Sequence, residues 1–93
     1  MNLRQVNEGD IIQVIELKIP KRTIERFNSI NFNTGKIFIV YKIVKERFVE
    51  LLFYDKKNAK EIIKKENINN KGGFLIISKY YFDKIEVKIL END

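Results

Sequence analysis

Few residues in this chain could do chemistry. It contains no histidine and no cysteine, which excludes disulfides, thiolate nucleophiles, thiolate metal sites and any imidazole acid–base relay. Ser29, Ser78, Thr23 and Thr34 therefore have no imidazole to activate them. Carboxylates and lysines remain. Carboxylates close in sequence include Glu8 with Asp10 and Asp83 with Glu86, and the first pair could share one strand face at period two. Such pairs work in hydrolysis or cation binding only when both groups face a concave site. In a small charged protein they are expected as solvated rim groups. A lysine base would need burial among apolar neighbours, which a lysine-rich surface does not suggest. Gly72-Gly73 lacks the Gly-Lys continuation of a phosphate-binding loop. The expectation is a protein without catalytic groups, metal or cofactor.

The elements that must position any site are bounded by size. With 93 residues, 44% hydrophobic and 33% charged, one domain spanning 1–93 is expected, with enough apolar material for a core. No stretch approaches the length of a membrane-spanning helix and the N-terminal residues lack a signal-peptide apolar run, so a cytoplasmic protein is expected, without a membrane partner. The formal charge is +5, with 14 lysines against 4 arginines. Isoleucine (16), lysine and asparagine (10) dominate the composition, a bias that A/T-rich codons alone would give, so part of the lysine content says nothing about a partner. The charge is nonetheless uneven. Residues 18–26, 36–47 and 56–71 carry net +3, +3 and +4, three basic segments on a mildly acidic background.

Ile11 to Ile19 is rich in β-branched residues and stops at Pro20, as a strand does. Lys21 to Thr34 is polar. Its Ile24, Phe27 and Ile30 are spaced by three, which permits a helical turn, but a long ordered loop pinned by these apolar residues is the preferred reading. Asn33-Thr34-Gly35 is a turn signal, and Lys36 to Lys45 is apolar on both faces, as a central strand must be. Lys45-Glu46-Arg47 makes a polar hairpin turn into a strand from Phe48 to Tyr54. Asp55 can cap a short helix from Lys56 to about Glu66, with Ala59, Ile62 and Ile63 as its apolar stripe. After the turn around Gly72-Gly73, Phe74 to Ile77 suits a buried strand. Ser78 can cap one helical turn through Asp83. Lys84 to Leu90 then alternates, with Ile85, Val87 and Ile89 inward and Lys84, Glu86 and Lys88 outward.

This order is mainly β and resembles a five-stranded Src-homology-3-like barrel. Gly9-Asp10-Ile11-Ile12 is similar to the glycine–aspartate–hydrophobic entry of such barrels, Gly35-Lys36-Ile37 to the turn before their second strand, and Ser78 to Ile85 to their helical turn and final strand. One short helix inserted between strands 3 and 4 departs from the pattern, and the one-turn helix before the last strand agrees with it. An α+β arrangement with the inserted helix packed on the sheet is the alternative. In Src-homology-3-like barrels the surface between the long first loop and the final helical turn is the common binding face. The resemblance therefore implies Tyr80 or Tyr81 beside Arg22 and Arg26, while Phe82, with no hydroxyl to satisfy, is expected in the core.

The candidate binding residues are Lys21, Arg22 and Arg26 on the long loop, Lys45 and Arg47 on the hairpin, Lys57, Lys60 and Lys64 along one edge of the expected helix, and Tyr80 and Tyr81. A module without catalytic groups acts by occupying a surface or by assembling with copies of itself. The expected partner is an acidic protein or a nucleoprotein, blocked or assisted by this basic, tyrosine-containing end. In size and composition the chain is similar to small phage inhibitors of host defence, such as anti-CRISPR proteins. The alternative is direct nucleic-acid binding, as in KOW-type small barrels, with lysines on phosphate and tyrosines on bases.

Overall fold

A computed structural model describes residues 1–54 and 74–91. The β-rich runs become β1 (Ile11–Leu17), β2 (Ile37–Val44), β3 (Phe48–Phe53), β4 (Phe74–Ser78) and β5 (Ile85–Glu91). One α-helix, α1 (Lys21–Ser29), follows β1, and a 3-10 helix (Lys79–Lys84) precedes β5. All pairings are antiparallel, in the order β4-β3-β2-β1-β5, so β2 is central as its two apolar faces require. Register shifts in β1 against β5 and between Val40 and Lys42 coil the sheet. Among the described residues no ladder joins β4 to β5, and the 3-10 helix spans that gap.

The concave face holds the main core. Ile12 and Val14 of β1, Phe38 and Val40 of β2, Val49 and Leu51 of β3, Ile77 of β4 and Ile85 and Val87 of β5 are all buried there. Phe82 joins them from the 3-10 helix, as expected for the aromatic residue with no hydroxyl to satisfy. The opposite face carries a second cluster, Ile11, Ile39 and Leu52 with Ile37, Tyr41 and Tyr54.

Two expectations change. The segment expected as a loop is helical from Lys21 to Ser29. Pro20 caps it through its backbone, accepting from the N–H groups of Thr23 and Ile24, and proline at a helix start costs nothing because its missing N–H would be unpaired there anyway. Asp10, expected on a solvated rim, is only 3% exposed. Its carboxylate accepts from the Asn7 N–H at 2.8 Å, and its own N–H donates to the Asn7 carbonyl at 3.1 Å. Gly9, at φ 95°, makes this turn feasible, placing its N–H 2.7 Å from the Val40 carbonyl. Glu8 turns elsewhere and accepts from the Ile43 N–H. The two carboxylates thus do not form a pair.

The N-terminal residues were not anticipated as core. Leu3 and Val6 are buried, and the Leu3 N–H donates to the Phe82 carbonyl. The helix expected over 56–66, and with it Lys57, Lys60 and Lys64, lies outside the described residues.

Candidate functional site

The site is built on a row of aromatic rings. Phe38 of β2 stacks on Phe32, Phe32 meets Phe27 of α1 at 5.4 Å between centroids, and Phe27 meets Tyr81 of the 3-10 helix at 5.0 Å. Aromatic pairs at these separations add to the energy of burial, and the row fixes α1 against the 3-10 helix. Ser78 sets the start of that turn, its Oγ accepting from the Tyr80 N–H at 3.3 Å.

Between the two helices lies a depression of about 330 Å³ lined by Thr23, Arg26, Phe27, Ser29, Ile30 and Tyr81. Its floor is apolar and its rim carries one guanidinium. Arg22 sits one helical turn before Arg26, so the two cations are neighbours on the helix surface, although Arg22 does not line the depression. The first turn of α1 holds no acidic residue and carries Lys21 and Arg22, adding side-chain cations to the positive end of the helix dipole. Like charges arranged this way repel, and an anionic partner relieves the repulsion.

Of the expected residues, the structure brings Arg26 and Tyr81 together. Tyr80 points away: it is 65% exposed, crosses Tyr81 edge to face, and has the Lys84 ammonium 3.9 Å from its ring centroid. Lys45 and Arg47 stand on the β2–β3 hairpin, where the Arg47 carbonyl accepts the Lys79 N–H at 2.9 Å. They adjoin the start of the 3-10 helix and are not among the residues lining the depression. Thr23, Ser29 and Ile30 were missed as lining residues, because a segment read as a loop assigns no common face to them.

Asp83 and Glu86 are engaged in ion pairs. Asp83 accepts from Arg4 at 2.9 Å, and that hydrogen bond, with the guanidinium charge behind it, holds the Asp83 carboxyl below its usual range and raises Arg4. Glu86 accepts from the N-terminal ammonium and lies 3.5 Å from the Lys18 ammonium, which likewise lowers its carboxyl. Among the described residues no group of three or more acidic side chains could hold a metal ion. No described helix is long and apolar enough to cross a membrane.

No family model and no curated protein match the chain. Among solved structures it is similar to the solution structure of the FeoA protein from Chlorobium tepidum, with a TM-score of 0.70 and 17% identity, over 100% of this chain and 73% of that one. The fold is Src-homology-3-like. In both the resemblance and the structure, a helical turn before the last strand faces the segment that follows the first strand, and here that segment is α1. At 17% identity the likeness to FeoA concerns the fold, and folds of this kind host many functions.

Proposed function

We propose that this protein is a small FeoA-like binding module, without a catalytic role, that docks on an acidic protein surface through the α1 and 3-10 helix end. The observation carrying this reading is the depression where Arg26 and Tyr81 meet over an apolar floor of Phe27 and Ile30. An arginine and a tyrosine beside a pocket are the residue types that anchor protein interfaces. Arg22 and Lys21 extend the positive field outward from it and favour encounter with an acidic partner. An inhibitor of the phage anti-defence kind and an accessory subunit of a larger assembly would both act in this way, by occupying the partner's surface. The nucleic-acid alternative draws less support, since Lys84 already occupies one face of the exposed tyrosine, Tyr80, where a base would stack.

The test is affinity capture from nuclease-treated lysate, followed by affinity measurements on the recovered partner with Arg26→Ala and Tyr81→Ala. Each substitution should weaken binding by about 2 kcal/mol, with modest salt dependence. Tight binding to random DNA or RNA near ~150 mM salt, falling steeply as salt rises, would replace this reading with the nucleic-acid one.

A further inference from the structure

The two edges of the sheet are finished differently. β5 is a guarded edge. It carries Glu86, Lys88 and Glu91, shifts register twice against β1, and is covered by the N-terminal segment through the Asn2–Glu86 bridge and the Val87 N–H donating to the Met1 carbonyl at 2.7 Å. Charges, irregular register and a covering segment are the means by which proteins keep edge strands from pairing with other chains. Among the described residues β4 has none of them. Its residues, Phe74-Leu75-Ile76-Ile77-Ser78, include no charge and no proline, it pairs with β3 in unbroken register, and among the described residues nothing pairs with its outer side.

The direction of its free groups follows from one hydrogen bond. The Lys79 N–H donates to the Arg47 carbonyl just beyond the Phe48–Ser78 pair, so in an antiparallel ladder Val49–Ile77 and Leu51–Leu75 are the bonded pairs. The N–H and C=O of Ile76 therefore point outward, and its side chain is 56% exposed on the face shared with its cross-strand partner Glu50. At the Ser78 end this edge runs into Lys79 and the hairpin cations Lys45 and Arg47, all exposed and none ion-paired among the described residues.

We propose that β4 is a strand-addition site for an extended segment of a partner protein, apolar at alternate positions and acidic at its N-terminal end. Antiparallel addition places that end against Lys45, Arg47 and Lys79, while the partner's backbone satisfies the Ile76 N–H and C=O and one of its apolar side chains covers Ile76. The charge at one end of an uncharged edge selects the direction and chemistry of the strand. A second copy of this chain, pairing antiparallel, would set the uncharged Phe74 end of its own β4 against these cations and would offer them no acidic residue from that strand. None of these residues lines the Arg26–Tyr81 depression, so the inference is independent of the function proposed above.

The test uses the whole protein, nitrogen-15 labelled, with the synthetic peptide Asp-Glu-Val-Thr-Val-Thr-Val as probe. In the free protein the Ile76 amide should exchange with solvent much faster than that of Val40. With peptide, the β4 amides and those of Arg47 and Lys79 should shift, and Ile76 should become protected. Replacing the two acidic residues of the peptide by lysine, or making Arg47→Glu with Lys79→Glu in the protein, should weaken binding at least tenfold. Methylating alternate peptide nitrogens that face Ile76 should abolish it. Three results overturn the proposal: an Ile76 amide as protected as Val40 without peptide, no β4 shifts at millimolar peptide, or concentration-dependent self-association that Ile76→Lys abolishes, which would assign the edge to a second copy.

Discussion

Tyr81 and Phe27 meet nearly edge to face, at 74° between ring planes and 5.0 Å between centroids. The pair joins an α-helix near the start of the chain to a 3-10 helix near its end, and it forms one wall of the depression. The contact should therefore be measurable as a coupling. In a double-mutant cycle of Phe27→Leu and Tyr81→Leu, urea denaturation should give an interaction energy of about 0.5–1.5 kcal/mol. Additive effects would mean that α1 is held by Phe32 and the core alone.

Asp10 acts on folding rather than on a ligand. Asp10→Ala leaves the Asn7 N–H without its acceptor in a site that is 3% exposed, and should lower stability by about 1–3 kcal/mol. Asp10→Asn retains an acceptor oxygen and should cost less. Equal denaturation midpoints for the two variants would show that the lost carboxylate charge, not the hydrogen bond, is what matters.

Glu46 stands at φ 63° in the hairpin, where the Arg47 N–H returns to the Val44 carbonyl at 3.0 Å. A left-handed residue at the third position of such a turn is usually glycine or asparagine. Glu46→Gly should raise stability by about 0.5–1 kcal/mol, since it relieves that strain. It sacrifices only an exposed 3.8 Å contact with Arg4, of a kind worth little. A lower melting temperature for Glu46→Gly would contradict this.

Acid should loosen the N-terminal segment first. Asp83 and Glu86 both have carboxyls held below their usual range by Arg4 and by the N-terminal ammonium. A carboxyl lowered in the folded state stabilises it fully above the unfolded-state pKa, and that contribution is lost as pH falls through the folded-state value. Between about pH 6 and about pH 3 the Leu3 amide should therefore lose protection before those of β2 and β3. In Asp83→Asn with Glu86→Gln the difference between the Leu3 amide and the others should no longer change with pH.

The strands were legible because β-branched runs and turn residues mark them directly, as in Lys36 to Lys45 and in the alternation of β5. Helix α1 was not. Its start has a proline instead of a side-chain cap, and Phe27 is its one buried residue, so periodicity was too weak to outweigh polar composition. Leu3 and Val6 were invisible for a related reason: two apolar residues in a polar stretch gain meaning only when Phe82 and β5 arrive beside them. Asp10 looked like any rim carboxylate until the turn from Asn7 closed over it. The meeting of Arg26 with Tyr81 followed from a fold-level resemblance, since residues so far apart in sequence carry no local sign of contact. The cations of the hairpin were legible as charge, but their position at the end of an unguarded edge depends on the register of β3 with β4.

The pairing of β1 with β5 and the docking of residues 1–6 on Phe82 and Val87 impose an order of events on synthesis. A ribosome adds about 5–20 residues per second, so β2 and β3 can close their local hairpin while β1 still lacks its partner on one side. Closing that side means joining the two ends of the chain, the slowest kind of contact for a diffusing polymer to make. Until β5 emerges, Ile12 and Val14 are thus only half enclosed. Residues 1–6 are made well before Phe82 and Val87, yet they can be placed only after those residues arrive.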